Sequence, residues 1–559
     1  MIAKTANDSR PLALFVLLFA SYAYFYQAGG WNQNSRFDLV RAITNEHTLN
    51  IDPFQHSTGD KALFDGHYYS DKAPGLALTA VPIVALARPV LHALGGDPET
   101  LGGLALLSYL ATVFTAGLFT ALAGVVLFKL SVELGASETG AAFATLTFGL
   151  GTPIWTLATI FIGHAFAAAL LLLAFQAAIR VGTDTPSRDA RLGALVGLGA
   201  GWATISEFPA AVPAVLLAAL TAYHAWPLGR ARAMRILGAM TLTALSCAGV
   251  LMVYQYACFG SPFHLAYSSE STYVGMQEGV FGVSLPKAIR LRRILFGDYR
   301  GLLPLAPTLA LAPVGLLLMM VRRARDTTGT VGRARRGALA ATIIAVYFIL
   351  LNASYAYWEG GWSYGPRHAS PAIPFLCIGL AMLWTAVPRI GRWVLALLTA
   401  YGISITLVAV STMPLPPANI RQPVADFLLP AFRDGDLALN TQSVAAGGVD
   451  TDFRAHHEPK AAFNLGMKMG LDGHASLVPL AIVWLGCAMW LSAARTPRSP
   501  TSSGCPPGNQ ARGFVEADRR GLQGRHGATK NGIVSELGLA VAGSSSVSLI
   551  TAKNASAIV

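Results

Sequence analysis

The sequence predicts an all-α polytopic membrane protein of about twelve membrane-crossing helices. Three observations predict it. Hydrophobic residues make up 53% of the chain and charged residues only 13%, about half the charged share of a soluble domain. Runs of roughly 20 apolar residues recur, the length that crosses about 30 Å of hydrocarbon as a helix. Short arginine clusters fall in every second loop between those runs, the pattern produced when positive charge is retained in the cytoplasm.

The first run follows Lys4 and Arg10 and extends to about Gln27. It ends in Tyr22-Ala-Tyr-Phe-Tyr26, an aromatic belt and not a small-residue cleavage site, so it reads as a retained span rather than a signal peptide. Further spans are expected near 103–128, 139–156, 161–179, 192–206, 209–226, 236–257, 302–321, 337–356, 371–387, 393–412 and 477–494. With the N-terminus cytoplasmic, alternation puts inside the loops that carry Arg180/Arg188/Arg191, Arg230/Arg232/Arg235, Arg322/Arg323/Arg325/Arg333/Arg335/Arg336 and Arg389/Arg392. The four long polar segments, 28–102, 258–301, 357–370 and 413–476, then all fall outside.

Residues 74–95 decide that parity. The clean apolar stretch from Gly75 to Ala87 is short, Pro82 interrupts it and Arg88-Pro89 ends it, so a juxtamembrane helix on the outer surface is expected. Only Ser206-Glu207-Phe208-Pro209 separates two of the spans. Residues 1–494 form one transmembrane domain on this reading. From Arg495 the composition turns to Ser, Gly, Thr, Ala and Pro without periodicity, which predicts a cytoplasmic disordered tail over 495–559. The expected location is the plasma (inner) membrane, multi-pass, with both termini cytoplasmic.

The net charge of +12 sits in loops between spans, with no basic, aromatic-rich soluble domain to bind nucleic acid. Cys247, Cys258, Cys377, Cys487 and Cys505 form no close pair, which argues against a disulfide framework or a zinc site. No internal repeat is evident, unlike many transporters.

The first outer loop is the richest in chemistry. Asn34 to Asn45 sets Phe37, Val40, Ile43 and Thr44 on one side, away from Arg36, Asp38, Arg41 and Asn45, which predicts an amphipathic helix on the membrane surface. Turns follow at Asp52-Pro53, Asp60-Lys61, Asp65-Gly66-His67-Tyr68-Tyr69 and Asp71-Lys72-Ala73-Pro74-Gly75. Acids at 38, 46, 52, 60, 65 and 71 supply candidate general bases toward a sugar hydroxyl, and a lysine beside a turn can hold phosphate as a point charge.

A short first span, an outer amphipathic helix, an aromatic-Tyr-acid-Lys-Pro turn and an apolar juxtamembrane helix together resemble the GT-C membrane glycosyltransferases, closest in shape to bacterial aminoarabinose and protein-mannosyl transferases. The resemblance implies an enzyme that takes a sugar from a polyprenyl-phosphate donor. It implies that Lys72, in Tyr68-Tyr69-Ser70-Asp71-Lys72-Ala73-Pro74, binds the donor phosphate. The family's acidic pair falls near Gln33-Asn34, amides that cannot act as bases; Asp38, one turn on, is the first choice of catalytic base and Asp71 the second.

The segment Tyr357-Trp358-Glu359-Gly360-Gly361-Trp362-Ser363-Tyr364-Gly365-Pro366-Arg367-His368 is a second candidate site. Its aromatic rings offer faces for a sugar or a prenyl chain and Arg367 a planar fork for phosphate. An interfacial aromatic belt would need neither the Gly-Gly pair nor Gly-Pro-Arg-His. The string also resembles a recurring feature of bacterial GT-C-like proteins. Substrate contacts are therefore expected from Tyr69, Trp358, Glu359, Trp362, Tyr364 and His368. The loop after Cys258 carries Lys287, Arg290, Arg292, Arg293 and Arg300 against the positive-inside trend, which points to an anionic headgroup or diphosphate. Arg300 is its best single phosphate ligand. His164 and Glu207 are ionisable groups near outer span ends. His456-His457-Glu458 lacks metalloprotease spacing.

The expected function is transfer of a sugar, with inversion, from a polyprenyl-phosphate donor to a lipid, glycan or protein acceptor of the cell envelope on the outer face. A lipid-linked glycan flippase or transporter, and a glycan ligase or polymerase, are the alternatives. No cofactor is indicated, and a divalent metal is left open.

Overall fold

A computed structural model describes residues 9–183, 185–270, 273–321, 330–445 and 461–494. The tail 495–559, Cys505, Arg322, Arg323, Arg325 and the His456-His457-Glu458 run lie outside the described residues. The fold is an all-α polytopic bundle. Its long helices in chain order are α1 (Arg10–Ala23), α2 (Trp31–Arg41), α3 (Gly75–Ala93), α4 (Leu101–Glu133), α5 (Glu138–Leu150), α6 (Gly163–Arg180), α7 (Asp189–Ser206) and α8 (Ala211–Ala225). They continue with α9 (Arg230–Phe259), α10 (Ala288–Phe296), α11 (Ala312–Val321), α12 (Thr330–Ser354), α13 (Ile373–Ala386), α14 (Arg389–Thr412) and α15 (Val478–Ala493). Each expected span overlaps helix, but that over 139–156 stops at Leu150 before a short turn of helix at Ile154–Ala158, and that over 302–321 is broken near Ala306. Among the described residues eight helical segments, Gly75–Ala93 included, are long and apolar enough to cross a membrane, and three shorter apolar ones accompany them.

Polar contacts sort the helix ends into two sets. At one end Arg10 at the start of α1 pairs with Glu138 at the start of α5 and donates to Ala494 after α15. There too Arg180 meets Glu133, Asp189 pairs with Arg232, and Arg336 reaches His224. All of the described span-joining arginine clusters belong to this short-loop end. The described residues of segments 24–74, 260–301, 355–372 and 413–477 belong to the opposite, long-loop end. Two small antiparallel ladders stitch that end together: β1 (Phe25–Tyr26) with β4 (Phe463–Asn464), and β2 (Lys61–Phe64) with β3 (His67–Ser70).

The helix α3 differs from expectation in length. It runs unbroken for 19 residues through Pro82 and Pro89, where an interruption at Pro82 and a stop at Arg88-Pro89 were predicted. A proline removes one ladder bond at a cost of about 3 kcal/mol in water, yet apolar surroundings leave the chain no better way to satisfy its remaining backbone groups. Its position is nevertheless at the long-loop end. Gly75 begins against Ser206, Trp202 donates to Thr79 (2.8 Å), and Arg88 at the other end pairs with Glu99 (2.8 Å). Glu99 also accepts from Asn45 beyond α2. The companion helix α4 runs antiparallel to α3, and its Tyr109 donates to Ala23 at the end of α1 (2.6 Å). Both ends of α3 thus stay beside the same loop layer.

The helix α2 is not an amphipathic surface helix. Every residue from Gln33 to Arg41 is buried, including Arg36, Asp38 and Arg41. Loops close over it from both sides, so its charged residues are partnered inside protein and not solvated.

Elsewhere small residues set the packing. Gly193, Gly197 and Gly201 repeat every fourth position on α7, which brings its backbone directly against α9. A Cβ at Gly193 or Gly197 would run into the carbonyl oxygens of Ile236 and Met240, whereas Gly238 on α9 faces open space. Gly197→Val is expected to lower thermal stability in detergent by about 1–3 kcal/mol through overpacking, with Gly238→Ala near wild type; equal melting temperatures for the two variants would contradict this contact.

Candidate active site

Four chain segments converge at the long-loop end, and each is held for a local reason. The turn Ser70–Pro74 enters α3 directly from β3, so Asp71 and Lys72 lie where the hairpin meets the bundle. Asp60 sits at the head of β2, its backbone N–H accepted by Thr58 Oγ1 (2.9 Å). The loop after α9 returns Glu270 to pair with Ala62 beside β2. The aromatic segment 355–368 crosses above α6, where Gly360 and Gly361 adopt positive φ and let the chain turn sharply.

Charges meet at Lys72. Its ammonium stands 2.8 Å from Asp60 and 2.7 Å from Asp71, and all three groups are largely buried. Burial disfavours the Lys72 charge, yet Asp60 and Asp71 together hold its pKa well above the usual value. Burial pushes the Asp60 carboxyl up, but Lys72 and the hydroxyl of Tyr273 (2.7 Å) more than reverse this and keep it below the usual range. Asp71 goes the other way. Burial, reinforced by the neighbouring Asp60 charge, outweighs Lys72 and raises it to about 6. One ammonium therefore holds two carboxylates of different proton affinity.

A second ion pair lies alongside. Arg36 on α2 donates to Glu207 (2.7 Å) and to the carbonyl of Ala73 (2.9 Å). Glu207 occupies the one extended residue between α7 and the next helical turn, and His164 is 3.5 Å away on α6. The ring of His368 packs edge-on against His164 and Tyr355, and burial with the adjacent Arg367 charge lowers its pKa well below the usual imidazole value. Arg367 directs Nε to no hydrogen-bond partner.

These groups line three adjoining cavities. The central one, about 120 Å³, is bounded by Asp60, Asp71, Lys72, Glu207, Arg367 and His368, among others. On one side it adjoins a polar cavity of about 210 Å³ whose walls include Asn32, Gln33, Trp362, Asn440 and Gln442; Asp60, Tyr273 and Arg367 line both. On the other it adjoins a largely apolar cavity of about 300 Å³ lined by Phe208, Pro209, Leu265, Val283 and Leu351, with Glu207, Tyr267, Met276, Tyr355 and His368 shared. Chemically the series runs from amides and indoles, through a charged centre, to hydrocarbon.

Of the residues predicted from sequence, Asp71, Lys72, Arg367, Trp362 and His368 line these cavities. So do Asp60, His164 and Glu207, whereas Asp38, Arg300, Tyr69, Trp358, Glu359 and Tyr364 line none of them. Asp38 is fully buried behind α2, where it accepts from Ser57 and lies 3.5 Å from Arg41. Arg300 turns its guanidinium onto the carbonyl oxygens of Glu359, Gly361 and Pro416 and braces two loops. Tyr69 packs against Phe259, Tyr364 is buried in an apolar cluster, and Trp358 packs near Ile294. The backbone of Glu359 caps Arg300. Gln33 lines the polar cavity, whereas Asn34 is structural, joining the carbonyls of Ser57 and Ser443 through its amide.

Sequence reasoning missed Glu270, Tyr273 and the Asn440/Gln442 pair as cavity residues, which long-range folding alone brings in. Asp60 is one of the six acids read as candidate bases, at a turn eleven residues before the Asp71-Lys72 turn, but Asp38 and Asp71 were preferred to it. Among the described residues no group of three or more His, Cys, Asp or Glu side chains is arranged to hold a metal ion.

No known protein-family profile matches the chain, and no curated protein matches it. Among solved structures it is similar to ArnT from Cupriavidus metallidurans bound to undecaprenyl phosphate, at 15% identity and a TM-score of 0.45 over 87% of this chain and 75% of that one. It is likewise similar to the apo state of the same protein, at 15% identity and a TM-score of 0.44 over 86% and 76% of the two chains.

The buried Asp38 has a measurable consequence. Burial raises its carboxyl from 3.8 to about 7 despite Ser57 and Arg41. A carboxyl whose folded pKa exceeds its unfolded one stabilises the fold while protonated and loses that contribution as pH rises through the folded value. Asp38→Asn is therefore expected to gain stability relative to wild type as pH climbs from 3.8 to about 7; paired melting curves showing a pH-independent difference would refute the buried, raised carboxyl.

Proposed function

We propose that this chain is a GT-C-like membrane glycosyltransferase that moves a sugar from a polyprenyl-phosphate donor to a hydroxyl acceptor. The observation that carries the reading is the continuity of the three cavities. A lipid-linked sugar has the same order of chemistry: an apolar chain, a phosphate, then a polyhydroxylated ring. The apolar cavity suits the prenyl segment next to the phosphate, where burial of hydrocarbon gives about 25 cal/mol per Å². Lys72 and Arg367 suit the phosphate, the first as a point charge and the second as a fork. The amides of Gln33 and Gln442, with Trp362, suit hydroxyls and a ring face.

The role of base passes on this reading to Asp60. It lines both the polar and the charged cavity and is held in its ionised form. Asp71 lines only the charged one, and Asp38 neither. Asp60 takes the proton of the acceptor hydroxyl as its oxygen attacks the anomeric carbon. The bond from that carbon to the phosphate oxygen breaks, and polyprenyl phosphate leaves with the bonding pair on the face opposite to attack, so the configuration inverts. Lys72 and Arg367 meet the charge that develops on the leaving oxygen in a site largely shielded from water, where preorganised donors act most strongly. His368, kept neutral, separates the charged centre from the apolar cavity and can donate to a phosphate oxygen without repelling Arg367. The location that fits is a multi-pass protein of the plasma (inner) membrane with this trough on the outer face.

The decisive measurement is sugar transfer by purified protein in proteoliposomes supplied with polyprenyl-phosphate sugars labelled in the sugar and with envelope extracts as acceptor. Asp60→Asn is expected to reduce turnover by about 10²–10⁴, the scale of general-base catalysis, and Lys72→Ala to reduce it strongly, while Asp38→Asn keeps turnover. Gel filtration confirms that each variant is folded. Full activity in Asp60→Asn would return the base to Asp71, and movement of intact glycolipid without bond cleavage would replace the transferase by a flippase.

A further inference from the structure

The helix α10 is the most amphipathic surface element at the long-loop end, and the reaction above does not use it. Its sequence, AIRLRRILF, buries Ile294 and half-buries Leu291 and Leu295 against the C-terminal end of α12. Lys287 fixes its start through a backbone bond to Ala353 (3.2 Å), and Arg290 fixes its flank by donating to Tyr355 O (2.9 Å). The opposite face is exposed. Ile289 and Phe296 lie on it, with Leu285 just before the helix. Arg292 and Arg293 stand three and four residues from both Ile289 and Phe296, so two cations flank an apolar pair on one helical face.

Among the described residues, Lys287, Arg292 and Arg293 have no carboxylate at ion-pair distance; Arg293 has only the Trp358 ring, 5.9 Å away. Asp298, the nearest acid in sequence, accepts from Gln422. At the short-loop end Arg10, Arg180 and Arg232 face carboxylates. Exposed Ile, Phe and Leu between unpaired cations match a helix whose apolar residues enter acyl chains while its cations reach the headgroups. The segment also continues from the wall of the apolar cavity, since Val280 and Val283 line that cavity only a few residues before Leu285.

We infer that α10 lies in the lipid–water interface and holds an anionic phospholipid headgroup with Lys287, Arg292 and Arg293 at the mouth of the apolar cavity. The inference is independent of the transfer reaction. An anionic leaflet contributes about 1 kcal/mol per nearby cation, roughly a fivefold preference each. The site would thus raise the local density of anionic lipids where a lipid substrate enters.

The test is local quenching on the full chain in nanodiscs. Bimane is attached at Phe296→Cys in a Cys505→Ser background, where the four remaining cysteines are buried. Brominated phosphatidylglycerol is expected to quench several-fold more than brominated phosphatidylcholine, and Arg292→Gln with Arg293→Gln to remove that difference while leaving quenching by phosphatidylcholine. Equal quenching by both lipids, or a preference that survives the double exchange, overturns the inference. Relief of phosphatidylglycerol quenching by millimolar inorganic phosphate would also overturn it, because the site would then take a free phosphate and not a lipid surface.

Discussion

The long-loop end depends on one lysine between two aspartates in a place with little water. Removing either kind of partner would strand a buried charge, a loss of about 3–5 kcal/mol, so the three groups must be delivered together. Delivery fixes the local architecture. The β2–β3 hairpin carries Asp60 at its first corner and Asp71-Lys72 at its exit, and the short ladder between them sets their separation. Tyr273 reaches in from a loop more than two hundred residues away and closes the remaining side of Asp60. The triad is therefore both a structural clasp and a charged floor, and its net negative charge leaves Arg367 as the balancing cation across the cavity.

A second constraint is the segregation of helix ends. Arginines that join spans gather where loops are short, where Arg180 and Arg232 find carboxylates; polar chemistry gathers where loops are long. Because α3 remains beside the loop layer at both ends, the hairpin and the aromatic segment can face one another over the same cavity. Had α3 passed through the bundle, Lys72 and Arg367 would have been divided between its two ends. The prolines in α3 do not decide this. The contacts of Gly75, Thr79 and Arg88 do.

Much of this was legible in the sequence, because apolar length and arginine spacing report helices and their ends directly. Lys72, Asp71, Arg367, Trp362 and His368 were legible as well, since turn chemistry exposed them locally. Asp38 and Arg300 misled for a common reason: charge in a loop reads as available, and only tertiary structure reveals that Ser57, Arg41 or a set of carbonyls already occupies it. The surface helix predicted over Asn34–Asn45 failed likewise. Its apolar spacing is real, but loops cover its polar side too. Asn440, Gln442 and Tyr273 carried no local signal, for an amide or a phenol in a loop has no periodicity that marks it.

Arg300 itself ties the aromatic segment to the chain near Pro416, gripping carbonyl oxygens on both strands of the crossing. Backbone held this way from beneath cannot lift as a flap. On the opposite rim the segment bearing Val280 is tied to the same aromatic stretch, through Ala356 N–H to the Gly282 carbonyl (2.7 Å) and Gly275 N–H to the Tyr357 hydroxyl (2.9 Å), so one piece of chain joins both edges of the trough.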